Sequence, residues 1–152
     1  MTDPDEWPGS WSGRIRATAR AVFRHEGRIL CIPAREPGVD RDFWFLPGGG
    51  VELDETSEQA VRREVSEELG IQLVEVRLLG VLENRFTWVG DPYHSVEQVY
   101  EVLDCRPTIS ELRRRDVIAG PDHEATWRPL GSFEPSGSPL YPEGVLGLLA
   151  RG

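Results

Sequence analysis

Between Pro47 and Ile71 the chain passes from three consecutive glycines into a helix pattern with both ends marked. Thr56 and Gln59 have capping-box spacing, in which each side chain serves the other residue's backbone N–H. Gly70 follows the last periodic residue and suits the left-handed position that ends a helix. Val61, Val65 and Leu69 recur every fourth residue and form an apolar stripe. A helix of this kind buries one face, so the rest of the chain must supply the surface that covers it.

Most of that surface reads as strand. Residues 15–23 alternate with small and β-branched types, 25–27 read as a turn, and 28–34 as a returning strand in a hairpin. Residues 35–42 form a polar loop and 43–46 a short aromatic strand, which Pro47 and the glycines stop. Further strands are expected at 73–82, 96–103 and 126–130, with a loop at 84–94 and a turn-rich stretch at 106–125. Pro142 opens a short amphipathic helix to Leu149. Helices separated by strands imply an α/β or α+β layered fold. Residues 1–13 read as an irregular arm and 14–152 as one domain, within the usual size range.

Charge narrows the function. The net charge is -9 and the pI about 4.8, which disfavours stable binding to nucleic acid or anionic membrane. All 17 basic residues are Arg. Without Lys there is no Schiff base and no Walker-type phosphate loop. Any cationic phosphate contact must come from Arg, His or a metal. Cys31 and Cys105 have neither CxxC spacing nor a His partner, and read as buried free thiols in a reducing cytoplasm. No signal-peptide pattern or membrane-length apolar run is visible, and a cytoplasmic location is expected.

The helix carries a second face. Glu64, Glu67 and Glu68 stand at i, i+3 and i+4, where like charges repel by a few tenths of a kcal/mol each. Two of them lie toward the C-terminal end, where the helix dipole disfavours acids. A hard cation such as magnesium, which takes carboxylate and carbonyl oxygens, would compensate. Taken alone, such a face is more often solvated surface, paired here with Arg62 and Arg63.

What precedes the helix changes that balance. The stretch Gly49 to Ile71, GGVELDETSEQAVRREVSEELGI, resembles the Nudix box at Gly49, Glu55, Arg63, Glu64, Val65, Glu67, Glu68, Gly70 and Ile71. With average residue usage near ~7%, its invariant letters would coincide in roughly one chain per million of this length. Leu46-Pro47-Gly48 also looks like the family's approach to the box. The resemblance implies an α/β/α sandwich with a mixed β-sheet between helices. It implies Glu64, Glu67, Glu68 and the Gly48 carbonyl as ligands of Mg2+, with Mn2+ as a possible substitute. Arg63 would orient a carboxylate and Glu55 would support the box. The implied reaction is attack of water on a phosphorus of a diphosphate in a small nucleotide.

Several assignments stay open at this level. The base is a box glutamate, Glu64 or Glu67, or a later one among Glu83, Glu97, Glu101 and Glu124, of which Glu124 before Trp127 is favoured as a residue of a flexible stretch. Arg35, Arg41 and Arg85 are candidate phosphate grips, and Phe43, Trp44, Phe86, Trp88 and Tyr93 candidate stacking residues. Phe43 and Phe45 share one parity and Trp44 the other, so one set faces the core. His94 is a candidate substrate contact. Trp7 and Trp11 on the arm suit a homodimer contact. The chain lacks the Pro of ADP-ribose pyrophosphatases (Phe86 stands there), the Pro-Trp motif of NADH pyrophosphatases, and the Tyr of dinucleoside polyphosphate hydrolases near Thr87 to Val89. A nucleoside triphosphate or diphosphate hydrolase is therefore expected. A nucleotide-sugar or ADP-ribose pyrophosphatase and an inactive nucleotide-binding module are the alternatives.

Overall fold

The computed structural model describes residues 13–40, 42–134 and 137–151. Among these described residues, ten strands and three α-helices run in the order β1 (Ile15–Val22), β2 (Arg24–His25), β3 (Arg28–Arg35), β4 (Asp42–Phe45), β5 (Gly48–Gly50), α1 (Ser57–Leu69), β6 (Gln72–Trp88), β7 (Asp91–Arg106), α2 (Ile109–Arg113), β8 (Val117–Ala119), β9 (Glu124–Pro129), β10 (Leu140–Tyr141) and α3 (Val145–Arg151). They form two mixed sheets. One has the order β5-β1-β7-β6, with β1 and β7 parallel. The other has the order β10-β4-β3-β9-β8, with β10 and β4 parallel and β2 paired to β3.

Two apolar clusters hold helices against these sheets. Ala19, Ala21 and Phe23 of β1 and its end join Leu30 and Ile32 of β3, Tyr100 and Val102 of β7, and Ala60, Val61, Val65 and Leu69 of α1. The other cluster takes Val22, Ile29, Cys31 and Val99 together with Val145 and Leu149 of α3. Successive strand residues thus serve opposite faces, as the period of two requires. This is the expected layering of helices on both sides of mixed sheet. Both cysteines are free and buried, and burial pushes the Cys31 thiol up to about 12 and the Cys105 thiol to about 11, far from reactive thiolates.

The structure corrects four expectations. The hairpin at 25–27 is real but only two residues deep, because β1 pairs with β5 and β7 while β3 belongs to the other sheet. The chain changes sheets at Phe23. The glycine triplet does not end structure; it is β5, paired antiparallel with Thr18, Ala19 and Arg20. Only glycine allows that approach at Gly48, where φ is +137° and a Cβ would stand 2.0 Å from the Ala19 carbonyl oxygen.

The expected loop at 84–94 is instead the end of a long hairpin, with Trp88 paired to Asp91. Its turn is Val89-Gly90, both at positive φ, as two-residue hairpin turns require. Pro92, a residue that argues against a strand, is tolerated because β7 pairs with β1 only from His94 onward. The stretch 106–125 holds α2 and β8, and Glu124 is the first residue of β9 rather than part of a flexible segment. Trp7 and Trp11 lie outside the described residues, as does Arg41.

Candidate active site

Helix α1 forms as its ends dictate. Thr56 Oγ1 accepts from Gln59 N at 3.1 Å, and Gln59 Oε1 accepts from Thr56 N at 2.9 Å. Gly70 closes the helix at φ 68°. Packing of Val61, Val65 and Leu69 then sets the rotation of the acidic face. Glu68 lies at the edge of the buried stripe and is 5% exposed, whereas the Glu67 side chain is 60% exposed.

Arg63 organises this face. Its Nε and Nη2 donate to the two oxygens of Glu55 at 2.7 and 2.9 Å, and Nη2 also donates to the Gly50 carbonyl at 3.0 Å. Its Nη1 donates to Glu64 Oε1 at 2.9 Å and to Glu67 Oε2 at 3.3 Å. The bonds from Arg63 hold the Glu55 carboxyl well below the usual carboxylate range. The planar fork of Arg suits such bidentate work. Gly49 lies against Glu64, and a Cβ there would come within 2.5 Å of its carboxyl carbon.

Glu68 is held differently. Its Oε1 accepts from Gly48 N at 2.8 Å, and its Oε2 lies 3.4 Å from His123 Nε2. The loop bearing His123 is docked on the end of α1: Asp122 N and His123 N donate to the Glu68 carbonyl at 3.3 and 3.0 Å. Burial pushes the Glu68 carboxyl up to about 8 against the lowering influence of Arg20 and the Gly48 amide, and Glu64 and Asp122 push it further. A buried acid beside other acids is a place where a cation would be stabilising. The donors on hand are carboxylate and carbonyl oxygens, which fit a hard divalent ion. Among the described residues no three acidic, His or Cys side chains already form a cage. Arg63 holds Glu64 and Glu67 through one oxygen each.

Beside the acids opens a cleft between the two sheets, of about 720 Å³ counting its mouth. Arg20 joins the two places. It is 5% exposed, donates to the Leu46 and Gly48 carbonyls at 3.1 and 3.2 Å, and pairs with buried Glu97 at 3.5 Å in the cleft floor. Phe43, Phe45, Phe86 and Trp88 form apolar walls, with Asn84 and Ser95 between them. Glu36 accepts from Val89 N at 2.6 Å and ties its loop to the hairpin tip at the cleft.

The structure sorts the sequence candidates. Phe86, Phe43 and Trp88 line the cleft, and Phe86 stacks on Tyr93 at 5.4 Å. Trp44 does not line it. Trp44 packs against the α3-side cluster with Arg128 4.4 Å above its ring, as its opposite parity requires. Arg35 is exposed and pairs with Asp42 and Asp40 at 2.8 and 3.1 Å, away from the cleft lining. Arg85 is exposed on the strand face opposite Asn84 and Phe86 and is not in the lining either. Glu83 is exposed with His94 at 3.7 Å, Glu101 pairs with Arg77, and Glu124 is exposed beside His123.

Arg20, Asn84, Ser95 and Tyr141 of the cleft and His123 beside Glu68 carry no local sequence signal. Once 84–94 is recognised as strand, the parity of Asn84 with Phe86 and of Ser95 with Glu97 would have grouped them.

A carboxylate-bearing helix clamped to a glycine strand, on mixed sheets between helices, defines a Nudix-type architecture. The sequence profile of the NUDIX domain matches residues 13–142, and the chain belongs to the Nudix hydrolase family. It is similar to the nucleoside triphosphatase NudI of Escherichia coli, 52% identical over 108 residues that cover 66% of this chain and 74% of that protein. It is also similar to a MutT-like protein of Streptomyces ambofaciens, 46% identical over 68 residues, and spans only 42% of that protein's length. A crystal structure of a MutT NUDIX hydrolase from Burkholderia pseudomallei matches with a TM-score of 0.65 and 31% identity, over 90% of this chain and 97% of that one. No helix among the described residues is long and apolar enough to cross a membrane.

Proposed function

We propose that this protein hydrolyses a diphosphate linkage in a nucleoside triphosphate or diphosphate, with Mg2+ as its metal and Mn2+ as a substitute. The observation that carries the reading is the buried Glu68, held by the Gly48 amide at 2.8 Å, beside an aromatic cleft that shares Arg20 with it. The name of the NudI relative, a nucleoside triphosphatase, supports the same substrate class.

Glu64, Glu67, Glu68 and the Gly48 carbonyl would hold the metal. When bound, the ion supplies charge neutralisation for the diphosphate and acidifies the attacking water. The chain's own residues do the rest. Arg63, anchored on Glu55, fixes Glu64 and Glu67 where they face the phosphates. An oxygen of Glu64 or Glu67 takes the proton of the attacking water, with Glu124 at the start of β9 as the alternative acceptor. The aromatic walls hold the nucleoside and exclude water from around it.

The test is to incubate wild type and Glu68→Gln with magnesium and a panel of nucleoside triphosphates, nucleotide sugars and dinucleotides, resolving products by chromatography. Cleavage of a triphosphate or diphosphate by wild type, its loss on chelation, and its near absence in the variant are expected. Nucleotide sugars or ADP-ribose as the preferred substrates would overturn the substrate class, and no turnover of any compound would overturn hydrolysis.

A further inference from the structure

Asn84 stands on β6 directly opposite Ser95 on β7, in the cleft, and is 5% exposed. Its Oδ1 accepts from the backbone N–H of Glu143, just ahead of α3, at 3.3 Å. An N–H needs an acceptor, so this bond decides which end of the amide is oxygen. The amino end, Nδ2, donates to no acceptor among the described residues. The orientation of this donor is therefore set from a third element, while its hydrogens stay uncommitted between aromatic walls. A donor that faces the cleft with no acceptor in the described protein is one that an acceptor on a ligand can engage.

We propose that Asn84 is a specificity-determining residue: its Nδ2 donates to the oxygen on C6 of a purine or C4 of a pyrimidine held between Phe43, Phe86 and Trp88, so that guanine, uracil and thymine nucleotides are preferred to adenine and cytosine nucleotides. This rests on the nucleotide reading of the cleft given above. The aromatic walls do not choose, because every base has a stacking face. The amide does. Adenine and cytosine carry an amino group where the other bases carry oxygen, and its hydrogens would meet those of Nδ2, leaving two desolvated donors with no acceptor between them. A site built around one hydrogen bond rejects such an analogue far more strongly than a site built on shape alone.

The experiment compares GTP, UTP, ATP and CTP by kcat/KM with magnesium, on wild type, Asn84→Asp and Asn84→Ala. Calorimetry with the four nucleoside monophosphates measures binding without turnover. Asn84→Asp keeps an oxygen for the Glu143 N–H and turns the donor into an acceptor. Wild type should favour GTP and UTP by at least roughly tenfold, the discrimination of one fixed hydrogen bond. Asn84→Asp should reverse the order and Asn84→Ala should flatten it. A wild-type preference for ATP or CTP overturns the inference, as does a variant that slows all four by one factor. If Asn84→Asp does not fold, Asn84→Ala decides: a lost preference supports the assignment and an unchanged one sinks it. Absence of turnover with a binding preference that follows the same pattern would sink hydrolysis and keep the role of Asn84. Absence of any binding preference overturns that role.

Discussion

The acidic end of α1 and the aromatic cleft touch the same Arg20, yet they are built on opposite rules. At α1 the carboxylates are tied to one another through Arg63 and to the backbone of β5. Arg63 alone bonds Glu55, Glu64, Glu67 and the Gly50 carbonyl, and Glu68 is held by Gly48 and flanked by His123. In the cleft the walls are apolar, and Asn84 spends one end on Glu143 and leaves the other open. The difference separates two tasks. Groups that gather a metal must be oriented before it arrives, so they are tied to one another. Groups that choose a ligand are fixed in direction but left unsatisfied, so that the right partner completes them.

The sharpest way to break this comparison is Glu68→Gln. It keeps the shape and the acceptor for Gly48 N while removing the charge. Activity should fall about a thousandfold, the several kcal/mol that metal-assisted charge stabilisation supplies. Without metal the variant should melt no lower than wild type, because burial already disfavours the ionised Glu68. A clear drop in melting temperature together with near-normal turnover would show Glu68 to be structural.

Gly49→Ala probes the same network through its geometry. The new methyl would meet the Glu64 carboxyl, the far end of a flexible side chain, so the fold should absorb it while the carboxylate moves. A displacement of this size costs on the order of a hundredfold in rate. Thermal unfolding and kcat measured together check it: unchanged turnover would mean that the position of Glu64 is not critical.

The acidic region was legible in the sequence and the cleft only in part, through Phe43, Phe86 and Trp88 but not through its polar residues, for a physical reason. Cap, stripe and acids of α1 lie within one helix, where spacing is geometry: Thr56, Gln59 and Gly70 act as their types require, and the glutamates follow from the packing of Val61, Val65 and Leu69. The cleft is assembled from residues far apart in the chain, Arg20, Phe43, Asn84, Ser95 and Tyr141, and only strand register brings them together. Gly90 and Pro92 made the end of a hairpin look like a loop, which hid the parity of Asn84. The glycines of β5 show the same limit, since a strand of three glycines has no β-propensity of its own and exists through the approach of β1. Trp44 lies off the cleft because parity says that two faces differ and not which one meets ligand.

A smaller effect is expected one step back from the acids. Glu55→Gln would weaken the two-pronged hold on Arg63 without touching Glu64, Glu67 or Glu68. The magnesium concentration for half-maximal activity should rise about tenfold, the lower end for residues that orient metal ligands. Turnover at saturating magnesium should change less. Manganese binding followed by paramagnetic resonance is the independent check, and unaltered affinity would confine Glu55 to holding the fold.

The smallest effect separates the two faces of β4. Phe43 lines the cleft, with edge contacts to Trp88 and Tyr141 at 5.9 and 5.6 Å, while neighbouring Trp44 is turned into the α3-side cluster under Arg128. Phe43→Ala should raise KM about five- to tenfold, the worth of one stacking surface, and cost about 1 kcal/mol of stability through its two edge contacts. Trp44→Ala should do the reverse, costing about 3 kcal/mol of stability with the order of base preference kept. Equal effects of both variants on KM would mean that β4 acts on substrate through its backbone position, and the cleft would then be shaped by the whole strand rather than by the face it presents.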